Sequence, residues 1–229
     1  MPARTLSRRD FLKAAGVTLG AATVTCSGLS MLDQPEPSAL ISLPHLSLGE
    51  PTMTNKILIT YASRLGSTGG VAEEIGKTLA ANGASVDVLP MADVKDLGGY
   101  RAVVAGSAIR DRQWLPEAVQ FVETHRRELA QKPFAIFAVC MTLAMPNGEQ
   151  YRAGVSEWLQ PVRALVRPVS EGLFAGALDI SKIESWSDRL KFRISVKMGV
   201  WSEGDHRDWK AIRGWAGGLP ALLNGGHRG

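Results

Sequence analysis

Cysteine is nearly missing: Cys26 and Cys140 are the only two in 229 residues, so no disulfide framework is expected to hold the fold. Histidine is almost as scarce, and His45, His125, His206 and His227 show none of the short spacings that bind a metal, so no metal site is expected. No apolar run reaches the ~20 residues that a membrane-spanning helix needs, and the nearest candidate, residues 14–24, is softened by Gly and Thr. The dinucleotide fingerprint G-x-G-x-x-G is absent. A P-loop is excluded too, because no Gly-Lys-Ser/Thr closes the glycine turn at residues 66–70. What remains is a composition of 45% hydrophobic and 21% charged residues with a net charge of +4, the profile of a globular chain.

The most informative stretch runs from Lys56 to Gly70, KILITYASRLGSTGG. Ile57, Leu58 and Ile59 form a continuous apolar run, as in a strand buried on both faces of a parallel sheet. Val71, Ile75 and Leu79 then repeat every four residues, and Asn82-Gly83 supplies a helix stop. Between strand and helix lie the hydroxyls of Ser63, Ser67 and Thr68, with Gly66 allowing close backbone approach. A turn of this kind at a helix N-terminus suits a phosphate held by neutral donors; an ordinary βα turn with Ser and Thr as caps is the plainer alternative.

Downstream, strand and helix patterns alternate. Strands are expected at residues 84–89, 100–107, 133–140 and 169–175, helices at 115–129 and 149–160. Five strands with intervening helices predict an α/β, doubly wound parallel sheet with helices on both faces, and the order taken for it is 2-1-3-4-5, one of the common doubly wound arrangements. Ligands of such sheets bind beyond the carboxyl ends of the strands at the switch point, here between the first and third strands. The loops after the third and fourth strands, residues 106–114 and 140–147, flank that point. Trp114 offers either a stacking ring or a packed helix-start hydrophobe. Cys140, at a strand end, reads as a small buried hydrophobe rather than a redox thiol.

The run Ser63, Arg64, Leu65, Gly66, Ser67, Thr68 resembles the T-x-T-G-x-T loop by which flavodoxins hold the phosphate of FMN. That resemblance implies a flavodoxin-like fold with FMN as cofactor. It adds Ser107, Ala108, Ile109, Arg110 and Trp114 from the third loop, and Cys140, Met141, Thr142 and Leu143 from the fourth, as residues around the isoalloxazine ring. A narrower likeness follows from Gly106-Ser-Ala-Ile-Arg110, Phe174-Ala-Gly-Ala-Leu178, Trp186-Ser-Asp-Arg-Leu-Lys-Phe192 and Asp208-Trp209. These resemble the menaquinone-dependent protoporphyrinogen oxidase family, which implies electron transfer to a quinone. Leu65 departs from that pattern, as does the lack of basic residues at 142–150. Three function classes stay open: a quinone-linked FMN oxidoreductase, an electron shuttle with a redox partner protein, and a flavin-free binding module on the same fold. No side chain stands out as a catalytic acid or base. No nucleic-acid partner is expected.

At the N-terminus, Ser7-Arg8-Arg9-Asp10-Phe11-Leu12-Lys13 looks like a twin-arginine export signal. The expected organisation is a signal segment at 1–30, a Pro/Ser-rich tether at 31–54 and the FMN-binding domain at 55–224, exported to the periplasm or the outer face of the cytoplasmic membrane. Thr23-Val-Thr-Cys26 departs from a lipobox at its first position, and no A-x-A cleavage site is visible. Basic surplus sits at the other end, with nine basic against five acidic residues from Ser181 onward. Residues 183–201 fit strand or helix, and the resemblance favours helix. As a helix they carry two apolar stripes, one of Ile183, Leu190, Ile194, Met198 and Trp201, the other of Phe192, Val196 and Val200. One stripe is expected against the fold. The other, tested at Phe192 and Val196, is expected to meet a membrane surface or a partner, flanked by Arg189, Arg193 and Lys197. A helix buried on both sides is the alternative.

Overall fold

The computed structural model describes residues 43–49 and 56–224. The twin-arginine motif, Cys26 and most of the tether lie outside the described residues. In chain order the elements are β1 (Leu46–Leu48), β2 (Lys56–Ala62), α1 (Ser67–Ala81), β3 (Ser85–Pro90), β4 (Tyr100–Arg110), β5 (Gln113–Trp114), α2 (Pro116–Thr124) and α3 (Arg126–Leu129). They continue with β6 (Phe134–Val139), α4 (Arg152–Glu157), α5 (Gln160–Leu165), β7 (Ser170–Phe174), β8 (Ala177–Leu178), α6 (Trp186–Lys197), β9 (Gly204–Asp205) and α7 (Trp209–Leu223). The main sheet has the order β1-β3-β2-β4-β6-β7. Taken over the five parallel strands, this is the expected 2-1-3-4-5.

Two apolar layers sandwich the sheet. On one face Val71, Ile75 and Leu79 of α1 and Ile212, Ala216 and Leu219 of α7 pack on Ile57, Ile59, Val86 and Val104. On the other, Ala118 and Val122 of α2 and Val162 of α5 pack on Leu58, Val103 and Ile136. Successive side chains of a strand point to opposite faces, so a strand that is apolar throughout needs both layers.

Three local differences from expectation have physical causes. Leu46–Leu48, inside the stretch read as tether, pairs antiparallel with β3 and extends the sheet edge. The expected helix at 115–129 is two helices, because His125 at φ −94°, ψ 12° leaves helical geometry between α2 and α3. The third strand runs past Ser107 to Arg110 and folds back as a hairpin. Asp111 and Arg112 both have positive φ, the signature of a two-residue turn whose twist matches the strands.

The connection from β3 to β4 holds only a 3-10 turn, Met91–Asp93, where a parallel crossover usually carries an α-helix. On β3, Val86 and Val88 lie on the face that α1 covers, while Asp87 points to the opposite face and is buried. Ser47 Oγ at 2.7 Å, Lys56 Nζ at 3.0 Å and Tyr100 Oη at 3.0 Å all donate to its carboxylate. Burial alone would raise the Asp87 carboxyl, but these donors outweigh it and hold the group below its ordinary value. Tyr100, pushed up to about 12 by burial and by Asp87, keeps its proton as a donor.

Candidate functional site

Strand β2 ends at Ala62, and residues 63–66 turn the chain into α1. Ser63 Oγ accepts the Gly66 N–H at 3.0 Å and closes the turn. Gly66 has φ +84°, a left-handed conformation that costs a residue with a side chain about 1–2 kcal/mol. As N-cap of α1 it brings no side-chain hydrogen bond, and the first turn of the helix contains no acidic residue. The positive end of the helix dipole therefore meets no carboxylate from its own first turn. Thr68 is fully buried, and its Oγ1 has no hydrogen-bond partner among the described residues. An unsatisfied buried hydroxyl costs about 1–3 kcal/mol. An anion oxygen seated at this helix end would recover that cost, so the donor set fits a phosphate group.

Two segments not foreseen at the site close on this loop. Gly176, between β7 and β8, passes so near that a Cβ there would lie 3.2 Å from Val139 Cγ1, 3.5 Å from Met141 Sδ and 3.6 Å from Ser67 Oγ. Its backbone therefore lies between the first loop and the one after β6. Arg207 reaches the Ser67 carbonyl with Nη1 at 3.5 Å. The guanidinium is held by Asp205 through two bonds of 2.7 Å and lies over the Trp209 ring at 4.3 Å. Hydrogen bonds from Arg207, opposed by burial, keep the Asp205 carboxyl below its ordinary range. Phe174-Ala-Gly-Ala-Leu178 was already legible as a motif, whereas nothing in the sequence singled out Arg207.

Leu65 and Met141, from the first and fourth loops, meet on a small cluster of Leu178, Ile180 and Ile183. This gives an apolar role to the residue that departs from the phosphate-loop pattern. Thr142 and Leu143 are half-buried in the 3-10 turn Met141–Ala144. Cys140 is buried and free, its Sγ accepting the Thr142 N–H at 3.3 Å, in keeping with a packed thiol.

The remaining expected residues are placed differently. Trp114 is 1% exposed and packs in the core beneath α2. The hairpin turns its ring inward, so the expectation that it stacks on a ligand gives way to the packing role. Ser107 Oγ donates to the Ala108 carbonyl at 2.8 Å and accepts the Leu115 N–H at 3.0 Å, so its hydroxyl is engaged in holding the hairpin. Ala108 and Ile109 lean on the same core. Arg64 points away to Glu117 at 3.3 Å. Arg110 is exposed and reaches Asp188 on α6 at 3.6 Å, a surface ion pair. A groove of about 410 Å³ between α2 and the β3–β4 connection, lined by Tyr61, Met91, Phe121 and His125, borders the first loop only at Ser63.

No match was found among curated proteins. Solved structures similar to this chain include a flavodoxin from the domain Archaea, 21% identical over 63% of this chain and 96% of that one, with a TM-score of 0.39. The Megasphaera elsdenii flavodoxin is 20% identical over 51% and 84%, with a TM-score of 0.40. Flavodoxin 2 from Bacillus cereus is 25% identical over 62% and 98%, with a TM-score of 0.39. The flavodoxin domain description matches residues 58–208, from the first parallel strand to the N-cap of α7, and the chain belongs to the flavodoxin domain family.

Proposed function

We propose that this domain binds FMN and serves as an oxidoreductase that passes electrons from a donor substrate to a quinone. The observation that carries the cofactor is Thr68, a buried hydroxyl left without a partner at an uncapped helix N-terminus. Ser63 shapes the turn, Gly66, Ser67 and Thr68 face the phosphate, and Arg207, held by Asp205, braces the loop from the Ser67 carbonyl. Leu65 and Met141, which share one apolar cluster, offer apolar surface to the ring. FMN, when bound, supplies the electron-accepting chemistry, and the chain supplies anchoring, orientation and exclusion of water.

Quinone as acceptor rests on the likeness to the menaquinone-dependent protoporphyrinogen oxidases at residues 106–110, 174–178, 186–192 and 208–209. The test is reoxidation of the photoreduced protein. A menaquinone analogue should restore the oxidised flavin spectrum within seconds under anaerobic conditions. Reoxidation only by a soluble redox protein would return the function to a shuttle.

Export is proposed through Arg8 and Arg9. Exchanging both for Lys keeps the charge and removes the recognised pair, so the precursor should accumulate inside the cell. Undiminished export of the Lys-Lys precursor would refute the route.

A further inference from the structure

Helix α6 carries an apolar stripe on its outer side. Trp186, Leu190, Ile194 and Met198 follow at four-residue spacing and are 75%, 47%, 49% and 68% exposed. The opposite side faces the fold: Phe192 and Val196 rest with Trp201 on Leu178, Ile180 and Ile183, and the Phe192 and Trp201 rings stack at 5.2 Å. This corrects the expectation of an outward stripe at Phe192 and Val196, while Val200 of the same stripe is exposed. The other stripe divides, Ile183 and Trp201 turning inward and Leu190, Ile194 and Met198 outward. Single exposed hydrophobes are ordinary, whereas a contiguous run of large ones marks a contact surface.

Charge completes the pattern. At 3.6 residues per turn, Lys197 falls between Trp186 and Leu190 on the helical projection, with Arg193 on one flank and Lys191 on the other. Asp188, the only acid of the helix, lies toward the inner side and engages Lys191 at 3.1 Å and Arg110 at 3.6 Å. Ser185 caps the helix by accepting the Asp188 N–H at 3.3 Å, so the face is formed in advance of any contact.

We propose that the outer face of α6 docks the protein on an anionic lipid surface. Large apolar side chains interleaved with cations on a projecting helix are the make-up of a helix lying in the membrane interface. The basic surplus after Ser181 has the sign that anionic headgroups attract. An acidic protein would match the charge but not call for four large apolar groups. In one respect the proposal rests on the reading above: a quinone is dissolved in lipid. The inner face of α6 shares its cluster with Leu65 and Met141 of the cofactor loops, so docking would hold those loops about 10 Å, one helix thickness, from the membrane surface.

The test uses the full chain, supplied with FMN, and vesicles of phosphatidylcholine with or without phosphatidylglycerol. The apolar residues 14–24 are unchanged in every variant, so differences between variants report α6. Wild type should bind the anionic vesicles in a salt-sensitive way. Leu190→Ser/Ile194→Ser should bind about tenfold or more weakly through lost apolar burial. Arg193→Gln/Lys197→Gln should lose about tenfold or more, and most of the salt sensitivity. Brominated lipid should quench the fluorescence component that disappears in Trp186→Phe, a local signal that the N-terminal segment does not produce. Absent quenching, or unchanged binding of the charge variant, overturns the proposal, as does preference for an acidic protein over the vesicles. Should the Leu190 and Ile194 variant lose its helical circular dichroism, the charge variant and the quenching decide. Flavin absorbance in the same samples separates the two readings. Bound protein without flavin upholds docking and refutes the cofactor, and flavin-loaded protein that ignores vesicles does the reverse.

Discussion

Replacing Ser67 and Thr68 together by alanine is expected to lower FMN affinity by roughly two to four orders of magnitude, because each hydrogen bond to a charged group contributes about 1.5–3 kcal/mol. The free protein should respond in the opposite sense. Thr68 Oγ1 is buried without a partner, so Thr68→Val, which keeps the shape and removes the hydroxyl, should leave the flavin-free protein as stable or more stable. A residue that weakens the fold and serves a ligand gives this pairing of signs; a residue present for packing gives losses in both. Flavin fluorescence titration and urea unfolding of the flavin-free protein measure the two quantities. Equal FMN affinity in the double variant, or a large loss of stability in Thr68→Val, contradicts the assignment.

The second large effect is expected at Asp87. Its carboxylate receives Ser47, Lys56 and Tyr100 from three different strands. Asp87→Asn leaves the Lys56 ammonium without its anion and removes charge-assisted bonds, a loss of about 2–3 kcal/mol at neutral pH. The direction of the carboxyl shift fixes the pH dependence. A folded-state value below the unfolded one means that the stabilisation is complete above the unfolded value, near pH 4, and is lost as pH falls through the lower folded value. The difference between wild type and Asp87→Asn should therefore be constant from pH 5 to 7 and shrink below pH 4. Urea midpoints across that range check it. A difference that grows on acidification would place the carboxylate in another role.

Asp87 also shows what the sequence disclosed and what it withheld. The alternation Ser85-Val-Asp-Val88 is visible as a strand with one polar side, but the donors come from β1, β2 and β4, and no local pattern announces Ser47 in a Pro/Ser-rich stretch. The elements β2 and α1 and the turn between them were legible because each rests on short-range signals, apolar runs, four-residue periodicity and hydroxyls around Gly66, whereas the strand order came with the flavodoxin resemblance. The hairpin after β4 was not, since its turn uses Asp111 and Arg112 in place of the usual Asn-Gly or Asp-Gly. The hairpin decides between the two roles open to Trp114, because the turn sends its ring into the core. In α6 the periodicity gave two stripes, yet which one faces inward depends on Leu178, Ile180 and Ile183, residues supplied by another part of the chain. Arg207 was hidden for the same reason: its importance lies in reaching Ser67, 140 positions earlier.

If the α1 N-terminus with Ser67 and Thr68 holds the phosphate of FMN, the protein must distinguish FMN from riboflavin. The two flavins share the ring and ribityl chain and differ in the phosphate. Flavin-free protein titrated with each, followed by flavin fluorescence and the absorbance bands of the bound ring, should bind FMN at least about a hundredfold more tightly, as loss of two or more hydrogen bonds to a charged group requires. Equal affinity for the two flavins, or binding of neither, would rule out a phosphate site at this helix end.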